Sequence, residues 1–186
     1  MLSLNLVIIC GALILIFLIA VGIYNRLVRL KNLVQEAWSG IDIQLKRRSD
    51  LVPNLVATVQ GYSQHETKLL TQVTQLRAST LNAESVDAQI KAEAGLTGAL
   101  KSLFAVAESY PDLQANQNFV SLQKELSSIE DQLQLSRRYY NATVRDFNTS
   151  LQSFPNNLVA QYLQYQPATY FEISSAVERE NPTVRF

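Results

Sequence analysis

One cysteine, one histidine, one tryptophan and one methionine occur among the 186 residues of the chain. A lone Cys10 forms no internal disulfide and no Cys-rich zinc cluster, so neither device can hold this fold together or report its redox compartment. A nucleophilic triad would need a base, and His65, the sole neutral-pH candidate, stands in no constellation and in no HExxH pattern. With Glu66 beside it, His65 reads as a helix-surface or interhelical hydrogen-bonding residue rather than a metal ligand. Six glycines and five prolines are scattered thinly, and none belongs to a GxxxxGKS/T or GxGxxG phosphate loop. Neither sign of charge is in excess, with 16 basic and 16 acidic residues, so the chain carries no nucleic-acid footprint. No catalytic site, cofactor or small-molecule substrate is expected, and the chain reads as a non-enzyme.

What is present begins at the N-terminus. From Leu2 to Ile23 there is no charged side chain, and Leu, Ile, Val and Phe dominate. At about 1.5 Å per residue such a helix reaches about 33 Å, enough for a hydrocarbon core of about 30 Å. Residues 1–25 are therefore expected to be a transmembrane anchor, with the lipid bilayer as first partner. A cleaved signal peptide fits less well: no Lys or Arg precedes the run, the run is long, and Ala20-Val21-Gly22 is its only cleavage-like site. Cys10 follows Ile9 in mid-span, where it reads as apolar filler and not as an acylation site. Arg26, Arg29 and Lys31 follow the span and nothing basic precedes it, which puts a single-pass body on the cytoplasmic side.

The remainder is sized for one core and patterned for helices. Leu27, Val34, Ile41, Leu55, Tyr62, Leu69 and Leu76 share a seven-residue register, accompanied by Trp38, Leu45, Val52, Val59 and Val73. Arg48 is the polar intruder on the first row. The register crosses Pro53, which has no N–H for the Ser49 carbonyl. Either one long helix kinks there, or one helix ends near Arg48 and another starts with Ser49 or Asp50 as N-cap. Later helices are expected from about Val86 to Tyr110 and from about Asn116 to Phe154, closed by Pro111 and Pro155. A break near Asp50 gives four helices of matched length, so the fold class expected is all-α. It consists of a transmembrane helix, an up-and-down antiparallel four-helix bundle over residues 26–155, and an aromatic, partly extended tail over residues 156–186.

Four segments carry a family resemblance: AWSGIDIQLKRRSDLVPNLVATVQGYSQHE from Ala37, ESYPDLQANQNFVSLQKEL from Glu108, RRYYNATVRDFN from Arg137 and FPNNLVA from Phe154. Together they resemble the LemA family of bacterial membrane proteins across nearly the whole chain. The resemblance implies a single N-terminal span followed by a helical bundle in the bacterial inner membrane, and it implies no enzyme class. Some such relatives take part in building magnetosome membranes, and others are encoded near membrane metalloproteases.

The remaining polar and aromatic residues read as structure or interface. Lys46, Arg47 and Arg48 with Asp50 sit at the expected helix junction, and Arg48 and Asp50 are candidates for a buried polar layer that fixes helix register. Arg137 and Arg138, followed by Tyr139 and Tyr140, are expected to mix core packing with an arginine reaching Asp42, Asp50 or Glu66. Trp38, Phe154, Phe171 and Phe186 are the aromatic candidates for packing or docking. The tail aromatics are expected to lie back on the bundle, with docking onto a neighbour as the alternative. The function expected is a membrane-anchored scaffold that forms a homo-oligomer and organises or shapes membrane. The alternative is an adaptor that presents its bundle to another membrane protein, such as a metalloprotease.

Overall fold

A computed structural model describes residues 2–63 and 66–172. Among them every regular element is helical: α1 (Leu2–Gln60), α2 (Thr67–Leu81), α3 (Val86–Ala107), α4 (Pro111–Gln114), α5 (Gln117–Gln152) and α6 (Asn156–Tyr162). The caps explain the later boundaries. Ser85 accepts the Ala88 N–H through Oγ at 3.2 Å and starts α3. The Asn116 side-chain oxygen accepts the N–H groups of Asn118 and Phe119 at 2.9 and 3.1 Å and starts α5, while Pro111 occupies the first turn of α4.

The expected break near Asp50 is absent, and α1 is one helix of 59 residues that carries Pro53 inside it. The division into four helices made there is therefore corrected. Pro53 withholds the N–H that the Ser49 carbonyl needs, yet that carbonyl accepts Arg77 Nε of α2 at 2.7 Å. A guanidinium from another helix thus supplies the missing donor, and the helix continues. The chain turns instead after Gln60, where the Ser63 N–H and Oγ both donate to the Val59 carbonyl at 3.0 Å.

The chain packs as two compact units. The first joins α1 through Ile41 to Leu135–Tyr170. Its buried side chains include Leu27, Val34, Ala37 and Ile41 of α1, Tyr140, Val144, Phe147 and Leu151 of α5, and Ala160 of α6. Residues 156–162, expected within a partly extended tail, form α6 instead, pinned by the Asn156 amide donating to Ser150 Oγ at 3.1 Å. The segment after α6 lies on α5. Asn148 donates to the Ala168 carbonyl and accepts the Ala168 N–H, both at 2.9 Å, and Tyr140 donates its hydroxyl to the Thr169 carbonyl at 2.8 Å.

The second unit is built on residues 42–134. One apolar cluster gathers Val52, Leu55 and Val59 of α1, Leu70 and Val73 of α2, Leu96, Leu100 and Leu103 of α3, Leu113 of α4, and Phe119 and Leu126 of α5. Each fully buried leucine contributes about 1.5–3 kcal/mol, which outweighs helix propensity as the source of this unit's stability.

Candidate functional site

The second unit places its strongest polar interactions inside the core. Arg48 stands in the apolar stripe of α1 and is 5% exposed. Its guanidinium reaches Glu93 Oε2 of α3 at 3.3 Å, Glu130 Oε2 of α5 at 3.4 Å and Thr97 Oγ1 of α3 at 3.0 Å. Glu93 is 1% exposed, whereas Glu130 keeps a third of its surface in water. A charge withdrawn this far from solvent persists only when countercharges and hydrogen bonds replace its hydration. The layer ties three helices together through one fork of donors, which suits arginine and would not suit lysine.

Asp50 is not part of this layer. It faces solvent and pairs with Lys46 at 3.4 Å, since two residues after Arg48 the helix has turned by about 200°. Pro53 is exposed on the same helix. Sequence reasoning missed Glu93, Thr97, Glu130 and Arg77. A signal for Glu93 existed: it interrupts the α3 row of Leu96, Leu100 and Leu103 as Arg48 interrupts the α1 row, and two opposite intruders in facing stripes belong together.

In the first unit the Trp38 and Tyr140 rings meet edge to face with centroids 5.4 Å apart. Arg137 is buried and Arg138 is exposed, as neighbours on a helix face different ways. Phe154 is exposed. In the second unit Glu66 is half-buried, and Phe171 is buried. His65 and Phe186 lie outside the described residues.

A groove of about 350 Å³ runs between the end of α1 and α2, lined by Val56, Gln60, Leu70, Thr71, Thr74 and Gln75 among others. Amides, hydroxyls and alkyl groups line it, with no acid or base to move a proton. Among the described residues no group of three His, Cys, Asp or Glu side chains is placed to hold a metal ion.

The pattern of the LemA family matches residues 37–186, which includes Arg48, Glu93 and Glu130. The chain belongs to the LemA family. This LemA-family chain is similar to Protein LemA of Metamycoplasma hominis, with 30% identity over 178 residues that cover 89% of this chain and 80% of the relative. It is also similar to Magnetosome protein MamQ 2 of Paramagnetospirillum magneticum, with 23% identity over 175 residues, and to Magnetosome protein MamQ of Magnetospirillum gryphiswaldense, with 21% over 174. Each alignment covers 80% of this chain but only 64% of the magnetosome protein. Among the described residues one helix, near the N-terminus, is long and apolar enough to cross a membrane.

Proposed function

We propose that this chain is a non-enzymatic, membrane-anchored scaffold that assembles with copies of itself and organises or shapes the membrane that holds it. The observation that carries the reading is the continuity of α1. The helix that bears the apolar run continues without a linker into Leu27, Val34, Ala37 and Ile41, which are buried in the first unit. A continuous helix holds the residues that follow the span at a set distance from the bilayer, which suits a scaffold, whereas a flexible linker would leave that distance free. In this reading residues 1–25 span the bacterial inner membrane, and Arg26, Arg29 and Lys31 keep the body in the cytoplasm. Residues 26–155 are the body, an antiparallel four-helix bundle in this reading, and residues 156–186 are the tail. The Arg48 layer sets the register of that bundle, as isolated polar contacts do in other helical cores. The relatives named as magnetosome proteins support a role of this kind.

The test is the mass of the purified full-length protein in mild detergent, beside the same protein truncated before Tyr24. A discrete, large particle in both forms is the expected result. A monomer or dimer in both would refute self-assembly and favour the adaptor, whose body stays small until another membrane protein is added.

A further inference from the structure

We infer that α6 and the turn that leads into it form an interfacial segment, whose Phe154, Leu158 and Tyr162 side chains enter the headgroup layer of the same bilayer that α1 spans. The inference rests on the membrane-spanning reading of α1 and adds to it a second, non-spanning contact with lipid.

The exposed face comes first. Phe154, Leu158 and Tyr162 are 80%, 58% and 87% exposed. Leu158 and Tyr162, four residues apart within α6, share one side of the helix, and Phe154 stands in the turn that leads into it. Asn156 and Ala160, also four apart, are buried on the other side. Outward aromatic and leucine side chains are held there by a hydrogen-bonded, packed inner face, and they are not loose ends of the chain. Amphipathic rings of this kind favour the boundary between water and hydrocarbon.

Charge points the same way. From Phe147 to Phe171 there is no Asp, Glu, Lys or Arg, although such residues make up 17% of the chain. Asn, Gln, Ser, Thr and Tyr supply the polarity instead, which suits a segment that exchanges bulk water for a headgroup layer. The absence of basic residues also commits the contact to apolar and ring burial and not to attraction for anionic lipid.

Height along α1 decides between lipid and open water. Trp38 meets Tyr140 of α5. Seven residues nearer the span, Lys31 Nζ lies 5.4 Å from the centroid of Tyr165, which in turn packs against Phe147, seven residues further along α5. Four more residues at this pace bring Leu151 level with Leu27, and both are buried. α5 ends one residue further on, at Gln152, so the turn that opens α6 begins near the level of Arg26, just past the apolar run Leu2–Ile23. The turn that opens α6 therefore stands at the membrane-proximal end of the first unit, and the chain beyond α6 reaches the level of Lys31 at Tyr165.

The experiment uses the full chain with Cys10→Ser, carrying one spin-labelled cysteine at a time. Reconstitution is in vesicles of phosphatidylcholine with phosphatidylglycerol. Oxygen accessibility is compared with that of a water-soluble nickel chelate, with Ile14→Cys as the span reference and Lys101→Cys as the aqueous one. Labels at Leu158 and Tyr162 are expected to shift from the chelate-dominated value of Lys101 toward the oxygen-dominated value of Ile14, and to stay there at high salt and in phosphatidylcholine alone. If Ile14 is oxygen-dominated while Leu158 and Tyr162 match Lys101, the interfacial segment is refuted and the span stands. If Ile14 itself is aqueous, the spanning reading fails and takes the inference with it. Dipolar broadening at Leu158 that vanishes on dilution with unlabelled protein would identify a second copy as the occupant and overturn the lipid contact.

Discussion

Replacing Arg77 with methionine removes the guanidinium that donates to the Ser49 carbonyl at 2.7 Å while keeping most of the side-chain volume. The carbonyl then has neither the intrahelical N–H, which Pro53 withholds, nor its substitute. Ser49 is 1% exposed, so water does not readily take the vacant place. Loss of a charged donor to a buried acceptor costs about 1.5–3 kcal/mol. For a protein of this size that corresponds to a fall in melting temperature of about 3–12 °C. Pro53→Ala restores the N–H and is expected to stabilise by about 1–3 kcal/mol, because an interior proline is among the costliest helix residues. In the Pro53→Ala background the Ser49 carbonyl keeps an intrahelical partner, so Arg77→Met there costs only the net worth of one bond, about 0.5–1.5 kcal/mol. The two substitutions are therefore coupled, with a coupling energy of about 1 kcal/mol or more. Thermal melts of the four proteins of the cycle, followed by circular dichroism at 222 nm in one detergent, measure it. Equal cost of Arg77→Met in both backgrounds would refute the claim that Arg77 carries the helix through Pro53.

Further outcomes follow from other contacts. Arg48→Met leaves Glu93 in the core without its guanidinium partner and is expected to destabilise by about 3–5 kcal/mol, whereas Arg48→Met with Glu93→Leu recovers most of that loss in the same melts; an unchanged melt for Arg48→Met would show that the layer contributes nothing to the fold. Gly98→Ala, in the interior of α3 with open space where a Cβ would stand, is expected to stabilise by about 0.5–1 kcal/mol. Gly95→Ala gains less, since its Cβ meets Leu76 Cδ2 at 3.0 Å, and a larger gain at Gly95 than at Gly98 would contradict this packing. Asn148→Ala removes both bonds to Ala168, so proteolysis and amide exchange at residues 163–170 are expected to rise while α5 stays protected; no change would mean that other contacts hold the segment.

The Arg48 layer shows how far a candidate site can be read ahead of the fold. Arg48 stood out because it breaks a seven-residue apolar row, and a charge in such a row enters the core wherever the helix packs. Its partners did not stand out in the same way. Asp50 was the nearest carboxylate in sequence, but helical geometry turns residues two apart to opposite faces, and Glu93 lies 45 residues away. The tail divides similarly. Its aromatics marked it as something other than linker, yet Asn148, a polar residue deep within α5, holds it in place, and no local pattern points from Asn148 to Ala168.

Local chemistry alone determined the apolar N-terminal run, the helical class and the heptad stripe from Leu27 to Val59. Each follows from side-chain polarity along a few turns, and the periodicity of a helix is a property of its own residues. Whether α1 broke at Pro53 was decided elsewhere. A proline removes one donor, and the cost depends on what else can reach the stranded carbonyl. Arg77, 28 residues on and in another helix, reaches it only once α2 has packed. Tertiary packing thus turned a plausible helix boundary into the middle of a continuous helix, and by the same means it chose Glu93 and Glu130 as the countercharges of Arg48.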